Sequence, residues 1–248
     1  MSNYDIFSGY YDDLTLNISY SDRADYFNKL IEKHGGVKGI LLDLACGTGS
    51  LSEEMSKIGY DVIGVDYSYE MLSVAMDKKI ESGRIIQYIC QDMTELDLYG
   101  TVDVTICALD SLNHLDSVDS IVKTVKRVKL FTNPHGLFIF DINTPYKHKE
   151  ILGNNTFVYD TDSVFCVWQN SFSEDKDNRV DISLDFFKDV GHNMFSRKSE
   201  DFSEIAPEIS VWKSILLNAG FTIEAVYDYD TFNEPKEKSE KVVFVAKT

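Results

Sequence analysis

The sequence predicts an α/β fold: a Rossmann-like, doubly wound, mostly parallel sheet of seven strands, with an antiparallel β insert between the fifth strand and the last helix. Over residues 1–148, short apolar runs that suit buried strands alternate with amphipathic helical patterns. Such alternation forms right-handed βαβ units and therefore a parallel sheet. Over residues 149–204, apolar runs follow one another without intervening helices, which indicates antiparallel strands.

The elements of the first part follow from periodicity and from the residues that end each one. Apolar residues at helical spacing predict a first helix over 22–34, which Gly35 and Gly36 end. Ser68 is a residue type that caps helices, and apolar residues follow it at helical spacing as far as Ile80. Strands are predicted over 39–45, 61–66, 85–90, 102–109 and 136–141, with further helices over 51–58 and 121–128.

The later elements form the insert and then return to the core. The α/β pattern resumes with a helix through 211–216, which Gly220 stops. We therefore expect a Rossmann-like domain made of residues 1–148 and 205–248, and a separate antiparallel insert over 149–204. The remaining strands are predicted at 157–159, 164–168, 180–187, 221–227 and 241–247.

Composition argues against several classes of protein. The 248 residues include 24 Lys and Arg against 41 Asp and Glu, which is a net charge of −17. We expect no nucleic acid or membrane partner, because phosphate binding needs a basic face, whereas this charge favours the approach of a cationic ligand.

The four cysteines have no metal-type spacing, so we expect neither a metal site nor a disulfide framework. Residues 1–5 do not begin a signal peptide, and no apolar run approaches about 18 residues, so we expect a cytoplasmic protein.

The strongest chemical signal is the stretch Asp-Leu-Ala-Cys-Gly-Thr-Gly at 43–49, where a strand turns into a helix. Glycines let the backbone approach a ligand closely, and open α/β sheets bind ligands at the carboxyl ends of their strands. A dinucleotide fingerprint requires a third glycine where this chain has Ser52. An anionic pyrophosphate would also gain nothing from the nearby Asp43 carboxylate.

Two further acidic residues end the next two strands. Asp66 follows Gly47 by 19 residues, at a position where a carboxylate can accept two hydrogen bonds from a ribose diol. Asp92 follows the third strand, where it can accept from the exocyclic amine of adenine, and Met93 offers an apolar face to the ring. Together with the glycine turn, these acids indicate a nucleoside-binding edge of the sheet.

These motifs resemble those of the class I S-adenosylmethionine-dependent methyltransferases. The resemblance rests on residues 43–49, 66–72 and 91–93. Residues 4–14, 107–114 and 138–143 are similar to a bacterial small-molecule branch of that family with a β-rich insert, in which the insert is expected to be the substrate lid.

The resemblance implies S-adenosylmethionine as the cofactor, with Asp66 on the ribose hydroxyls and Asp92 on the adenine amine. Tyr11 and Tyr20 would either close over the sulfonium, since an aromatic face attracts a cation, or simply pack the N-terminal helix. The expected cofactor-binding residues are Tyr11, Tyr20, Asp43, Ala45, Cys46, Gly47, Gly49, Asp66, Tyr67, Met71, Gln91, Asp92, Met93 and Leu109.

One stretch departs from that branch. Where the insert returns to the core, the branch shows Glu-x-His-x-Gln/Glu-Arg-Ala-Tyr, whereas residues 200–206 keep Glu200 and Glu204 but lack the His, Arg and Tyr. If this segment is helical, the two glutamates share a face. They would then bind a cationic acceptor or form a solvated acidic surface.

Methyl transfer from a sulfonium is an in-line displacement with a neutral leaving group, so the main task of the enzyme is to orient the acceptor and exclude water. A base is needed only for a protonated or weakly nucleophilic acceptor. His114 is the candidate base, beside Asp110 and Asn113 after the fourth strand, although a loop histidine bonded to backbone is the alternative. Expected substrate residues are Asp141, Asn143, Trp168, Glu200 and Glu204, with Trp168 equally suited to the insert's own core.

We therefore expect an enzyme that moves a methyl group to an N, O or C atom of a small molecule. Two alternatives remain open: a protein that binds S-adenosylmethionine or its homocysteine product without turnover, and an NAD-dependent oxidoreductase, which Ser52 disfavours. The sequence determines neither the acceptor nor the oligomeric state.

Overall fold

The structure, a computed structural model, describes residues 19–161, 164–192 and 194–248. Within these residues, no helix combines the length and the apolar character needed to cross a lipid bilayer. In chain order the helices and strands are α1 (Tyr20–Lys33), β1 (Ile40–Leu44), α2 (Ser50–Ile58), β2 (Asp61–Asp66), α3 (Tyr69–Ser82), β3 (Ile86–Cys90), β4 (Val102–Cys107), α4 (Val118–Phe131), β5 (Thr132–Asn143), β6 (Thr156–Asp160), β7 (Phe165–Ser173), β8 (Arg179–Asp189), β9 (Phe195–Glu204), α5 (Ile209–Asn218), β10 (Thr222–Asp228) and β11 (Lys241–Lys247). Short 3₁₀ turns cover Met93–Glu95 and Ser111–His114, and a π-helical turn covers Lys147–Leu152.

The main sheet has seven strands in the order β10-β11-β5-β4-β1-β2-β3. Strands β1 to β5 run parallel, while β11 pairs antiparallel with both β5 and β10. Because β1 has β2 on one side and β4 on the other, the winding direction changes at β1, which is where such sheets bind ligands. The predicted doubly wound, mostly parallel sheet is confirmed.

The insert forms a second, antiparallel sheet in the order β6-β7-β8-β9. Three of its strands match the predicted apolar runs, but β9 was not predicted, because four charged residues interrupt its pattern between Arg197 and Asp201. The helical placement of Glu200 and Glu204 is wrong. They still share a face, since alternate residues of a strand point to the same side of the sheet.

Apolar side chains cover both faces of the main sheet. On one face, Phe140 of β5 packs against Trp212 of α5, with ring centroids 5.5 Å apart. On the other face, Phe27 and Leu30 of α1 pack with Met55 of α2. With both faces buried, the carboxyl ends of the strands remain as the part of the sheet that can receive a ligand.

Several element boundaries differ from the prediction for identifiable reasons. β4 ends at Cys107 instead of residue 109, because Leu109 and Asp110 have left-handed backbone conformations. β5 begins at Thr132, since α4 passes into it without a loop. The predicted cap is confirmed: the Ser68 hydroxyl accepts a hydrogen bond of 3.2 Å from the Met71 N–H.

Candidate functional site

A cleft of about 1070 Å³ opens between the carboxyl edge of the main sheet and the insert. Loops after β1, β2 and β3 form one wall, the turn after β4 with the start of α4 forms another, and strands β7 to β9 form the third. His114 lies on the second wall. Of the expected cofactor residues that the structure describes, six line the cleft: Ala45, Asp66, Tyr67, Gln91, Asp92 and Met93.

Asp66, at the end of β2, accepts hydrogen bonds from several backbone N–H groups. The Gly47 N–H donates to Oδ2 at 2.8 Å, and the Ser68 N–H donates to Oδ1 at 2.9 Å. Burial raises the pKa of Asp66, and these hydrogen bonds oppose the rise because they stabilise the carboxylate. The side chain thus joins the glycine turn to the start of α3. A carboxylate offers about four acceptor sites, so Asp66 keeps capacity to accept from a ligand.

The turn after β1 contains three residues with left-handed backbone: Ala45 (φ 60°), Gly47 (φ 54°) and Gly49 (φ 74°). A Cβ atom on Gly49 would lie 2.8 Å from the Ala75 Cβ and would overlap the Tyr88 hydroxyl. A Cβ atom on Gly47 would meet nothing within 4 Å. Gly49 is therefore required for packing against α3 and β3, whereas Gly47 keeps space open beside Asp66.

Asp43 lies beneath this turn and does not line the cleft. It is only 2% exposed, and it accepts a hydrogen bond of 2.6 Å from the Ser52 hydroxyl. Burial raises the pKa of Asp43 to about 7, against the effect of that hydrogen bond. Ser52, which breaks the dinucleotide fingerprint, thus links α2 to β1.

Side chains of the loop after β3 hydrogen-bond within the loop and fix its shape. The Gln91 amide donates to the Asp97 carbonyl at 3.1 Å, and its oxygen accepts from the Asp97 N–H at 3.0 Å. Asp92 caps the following 3₁₀ turn by accepting from the Thr94 N–H at 2.7 Å through Oδ1. The second oxygen of Asp92 takes no part in this cap.

Four further residues of the expected cofactor set are described and lie outside the cleft lining. Cys46 and Met71 are buried, while Tyr20 and Leu109 pack against the apolar core beside α1. Tyr11 lies outside the described residues.

A single carboxylate holds the strained turn after β4. Leu109 (φ 60°) and Asp110 (φ 52°) are both left-handed, which is uncommon for residues other than glycine. Their N–H groups donate to the two oxygens of Asp141 at 2.9 and 3.0 Å. Asp141 is fully buried, so it shapes the turn from below instead of facing the cleft. Paired strained residues at a sheet edge are typical of functional sites.

Lys241, the first residue of β11, balances the negative charge of the carboxylates at this turn. Its Nζ lies 2.6 Å from Asp110 Oδ1 and 3.1 Å from Asp141 Oδ2. Burial acts to raise the pKa of Asp110, but the Lys241 ammonium outweighs it and holds that pKa well below its usual range. Burial acts to lower the pKa of Lys241, but the Asp110 and Asp141 carboxylates outweigh it and raise that pKa. Sequence reasoning missed Lys241, because a lysine that merely precedes an apolar strand does not by itself indicate a functional role.

Two buried asparagines connect this turn to the insert. Asn113 donates to the Asn143 carbonyl at 3.2 Å and to the Ile205 carbonyl at 2.7 Å. Asn143 donates to Asp110 Oδ2 at 2.6 Å and to Glu204 Oε2 at 3.1 Å. Both asparagines lie behind the cleft wall. Of the three residues proposed at the lip of β4, His114 is the one that lines the cleft.

Glu204 lies at the centre of the contact between the insert and the core. Its Oε1 is 3.6 Å from His114 Nε2, and its Oε2 is 3.3 Å from Nε2 of the fully buried His148. Asp110, His114 and Glu204 bring three ligand atoms within 4.8 Å of one another. Since Lys241 already neutralises Asp110, we propose no metal there. Sequence reasoning also missed His148, which is separated from Glu204 by most of the insert.

The other substrate candidates of the insert are not on the cleft wall. Glu200 and Glu204 are 6% and 5% exposed, so the expectation of a solvated acidic surface is wrong. Trp168 donates to Asn170 Oδ1 at 2.6 Å and packs on the rings of Phe157 and Tyr159. Trp168 therefore belongs to the insert's own core.

Known proteins resemble this chain in sequence and in fold. The family described as Methyltransferase domain matches residues 41–136. YqeM of Bacillus subtilis (strain 168), which is named provisionally as a methyltransferase, is 32% identical over 98% of this chain and 96% of its own length. A crystal structure of an S-adenosylmethionine-dependent methyltransferase from Clostridium acetobutylicum superposes with a TM-score of 0.88 at 31% identity, covering 99% of both chains.

The chain belongs to the class I S-adenosylmethionine-dependent methyltransferases. The resemblance predicted from the sequence is thereby confirmed. CalS10 of Micromonospora echinaspora, an amino pentose methyltransferase solved with S-adenosylmethionine bound, has a TM-score of 0.73 at 18% identity over 93% of this chain and 92% of its own. At that identity, CalS10 demonstrates the shared fold alone.

As a member of this family, the methyltransferase uses S-adenosylmethionine as its cofactor. Its own residues fit that molecule. Gly47 leaves room beside Asp66, and carboxylates at the ends of β2 and β3 border one cleft. Carboxylates at these positions suit hydroxyl and amine donors, and the lack of a basic residue among the lining residues of β1 to β3 does not suit a pyrophosphate.

Proposed function

We propose that this methyltransferase transfers the methyl group to a nitrogen atom of a small, polar, amine-bearing molecule that lies between the sheet edge and the insert. The observation that carries the proposal is the polar wall of the insert. Two rows of paired side chains cross three neighbouring strands where the insert borders the cleft: Gln169, Ser183 and Asp201 in one row, and Ser171, Asp181 and Ser203 in the other.

The charge of the cleft favours an ammonium group over an anion. Asp181 and Asp201 lie on the insert wall, and Asp116 lies on the wall formed by α4. Arg179 pairs with Asp181 at 2.7 Å, so its charge is already balanced. An amine-bearing acceptor would gain from the remaining carboxylates. The amino pentose named for CalS10 is an acceptor of this chemical class.

The cofactor would be held by residues at the ends of three strands. Asp66 would accept from the ribose hydroxyls, Asp92 would accept from the adenine amine, and the backbone at Ala45 and Gly47 would approach the methionine portion. When bound, S-adenosylmethionine supplies an electrophilic methyl group on a positively charged sulfur. The residues of the chain need only hold the acceptor nitrogen in line with that methyl group and keep water away.

His114 would accept the proton that the acceptor amine has to lose. An amine that arrives as an ammonium has no lone pair for the displacement, so a neighbouring group has to accept one proton. His114 borders the cleft between the cofactor edge and the polar wall of the insert. An imidazole suits this role because its reference pKa lies near neutrality.

Methyl transfer to matched acceptors tests this function. S-adenosylmethionine labelled in its methyl group would be incubated with amino sugars, with their N-acetylated forms and with catechols. We expect label on the free amines alone. Label on catechols alone would contradict the nitrogen assignment, and cofactor binding without transfer to any acceptor would favour a binding protein.

A substitution on the insert wall adds a second test. We expect Asp201→Asn to raise the KM for an amine acceptor several-fold while the Kd for the cofactor stays unchanged. Asp160→Asn removes an exposed carboxylate of the same insert, on β6 outside the cleft lining, and serves as the matched control. An equal effect of both variants would mean that overall charge, and not this wall, governs acceptor binding.

A further inference from the structure

We propose that Glu204 is the positioning residue of His114, and that the buried imidazole of His148 holds Glu204 in place. This inference rests on the proposed role of His114 as proton acceptor. Glu204 is the last residue of β9, whereas His148 belongs to the π-helical turn that begins the insert and His114 to the turn after β4. The arrangement therefore joins both ends of the insert to the catalytic edge of the sheet.

The hydrogen bond at the far side of His148 defines its protonation. Its Nδ1 lies 2.7 Å from the Asn178 carbonyl oxygen, which can only accept, so Nδ1 carries a proton. Its Nε2 faces Glu204 Oε2 at 3.3 Å, and two bare lone pairs would repel each other there. A proton on Nε2 would place a donor against this carboxylate oxygen, and Asn143 donates to the same oxygen from 3.1 Å.

The second oxygen of Glu204 is then directed at His114. Oε1 lies 3.6 Å from His114 Nε2, which is longer than a hydrogen bond, although such contacts tighten when substrate closes a site. A carboxylate on that side favours the tautomer with the proton on Nε2, so that Nδ1 carries the lone pair. The Phe202 ring, with its centroid 5.4 Å from that of His114, restricts the plane of the imidazole.

The electrostatics of this corner agree with an ionised Glu204. Burial acts to raise the pKa of Glu204, but the neighbouring His114 and His148 outweigh it and lower that pKa. Asp110 acts in the opposite direction, and Lys241 pairs with Asp110 at 2.6 Å. Asp66, on the opposite side of the cleft, also interacts with His114.

The proton transfer that follows is balanced. The acceptor ammonium loses one proton to His114 Nδ1, which leaves an amine with a lone pair and His114 as an imidazolium. That lone pair forms the new C–N bond while the C–S bond breaks, and the electrons of the broken bond stay on sulfur. Glu204 stabilises the imidazolium without accepting its proton, as a carboxylate does beside a catalytic histidine. Because β9 supplies this carboxylate, the proton acceptor is complete only when the insert is docked.

Nitrogen-15 NMR of the histidine side chains tests the positioning role without any acceptor. The chain has five histidines, so a His114→Gln variant assigns the relevant signals. With S-adenosylhomocysteine bound, we expect neutral His114 to carry its proton on Nε2 in the wild type. In Glu204→Gln the amide can donate to Nε2, so we expect the Nδ1–H tautomer to become predominant. Identical tautomer populations in the two proteins would overturn the proposal.

A matched control separates positioning from a general loss of negative charge. Asp185→Asn removes a carboxylate of β8 that pairs with Arg197 at 2.8 Å, away from the cleft. We expect this variant to keep the wild-type His114 tautomer. Thermal unfolding and S-adenosylhomocysteine titration of each variant would show whether the fold and the cofactor site persist. His148→Gln, which keeps a donor towards Glu204, is expected to preserve the tautomer better than His148→Leu.

A double-mutant cycle gives the corresponding kinetic test once an acceptor is found. We expect Glu204→Gln to lower kcat by roughly 10–100-fold, part of the effect of a general base. In the His114→Ala background, the same change should lower kcat by less than about twofold, because its target is gone. Additive losses would overturn the proposal. If the wild type methylated no amine while the tautomer still responded to Glu204→Gln, the proposed function would fail and the positioning role would stand.

Discussion

The Nζ atom of Lys241 lies 2.6 Å from the Asp110 carboxylate, although 131 residues separate them in the chain. The pair is largely shielded from solvent, with side chains 14% and 18% exposed. Asp110 belongs to the strained turn whose N–H groups bind Asp141. The last strand of the chain thus stabilises the turn that leads to His114.

Removal of the Lys241 charge should therefore destabilise the protein. We expect Lys241→Met to lower the free energy of unfolding by about 3–5 kcal/mol, since it leaves a buried carboxylate without its partner. Urea unfolding at pH 7 measures this. Lys247→Met, at the other end of the same strand, should cost less than about 1 kcal/mol, because that ammonium makes one long hydrogen bond of 3.3 Å to the His34 carbonyl. Equal losses would contradict the importance of the buried pair.

Asp43 should make stability depend on pH in a defined direction. Its pKa is raised to about 7 in the folded chain, above the value of about 3.9 for an unfolded aspartate. Folding therefore favours the protonated form, and the contribution of Asp43 to stability is complete below pH 4 and is lost as pH rises towards 7. We expect the difference in unfolding free energy between wild type and Asp43→Asn to fall over this window. A difference that rose with pH would contradict the buried placement of this acid.

Asp66 should control cofactor affinity in addition to holding the glycine turn. We expect Asp66→Ala to weaken binding of S-adenosylhomocysteine by about 1–3 kcal/mol, as expected when buried hydrogen bonds are lost. Isothermal titration calorimetry measures this effect. Asp61→Ala, at the exposed start of the same strand, is the control and should leave affinity unchanged. Unchanged affinity in Asp66→Ala would remove this carboxylate from the ribose site.

The two glycines of the turn should respond differently to a side chain. In Gly49→Ala the new Cβ would meet the Ala75 Cβ at 2.8 Å, so we expect a loss of about 1–3 kcal/mol of stability from overpacking. In Gly47→Val the new Cβ meets no atom within 4 Å, so the side chain enters the open space beside Asp66 and we expect binding of S-adenosylhomocysteine to be lost. The left-handed backbone (φ 54°) strains a β-branched residue, so we also expect a cost of about 1–3 kcal/mol in stability while the fold persists. Chemical unfolding and calorimetry of both variants test this. Normal cofactor binding by Gly47→Val would move the ligand away from this turn.

Much of the fold was predictable because its signals are local. Alternating apolar runs determined the parallel strands, and the Ser68 cap determined the start of a helix. The strands of a parallel sheet end at one edge, so Asp66 and Asp92 could be placed together before any coordinates were known. β9 escaped prediction because its charged residues hide the alternation, even though Glu200 and Glu204 are buried.

The sequence by itself determined the family and the cofactor, and it predicted the edge of the sheet proposed to receive that cofactor, because each depends on residues close together in the chain. Only the tertiary structure decided which acids face the cleft and which support it from within. Asp141, Asn143 and Glu204 turned out to be internal. Lys241 lies beside Asp141, and His148 lies beside Glu204. The physical reason is that β11 pairs beside β5 and the insert folds back onto the core. Burial then leaves each charge stable only beside a partner that is remote in sequence.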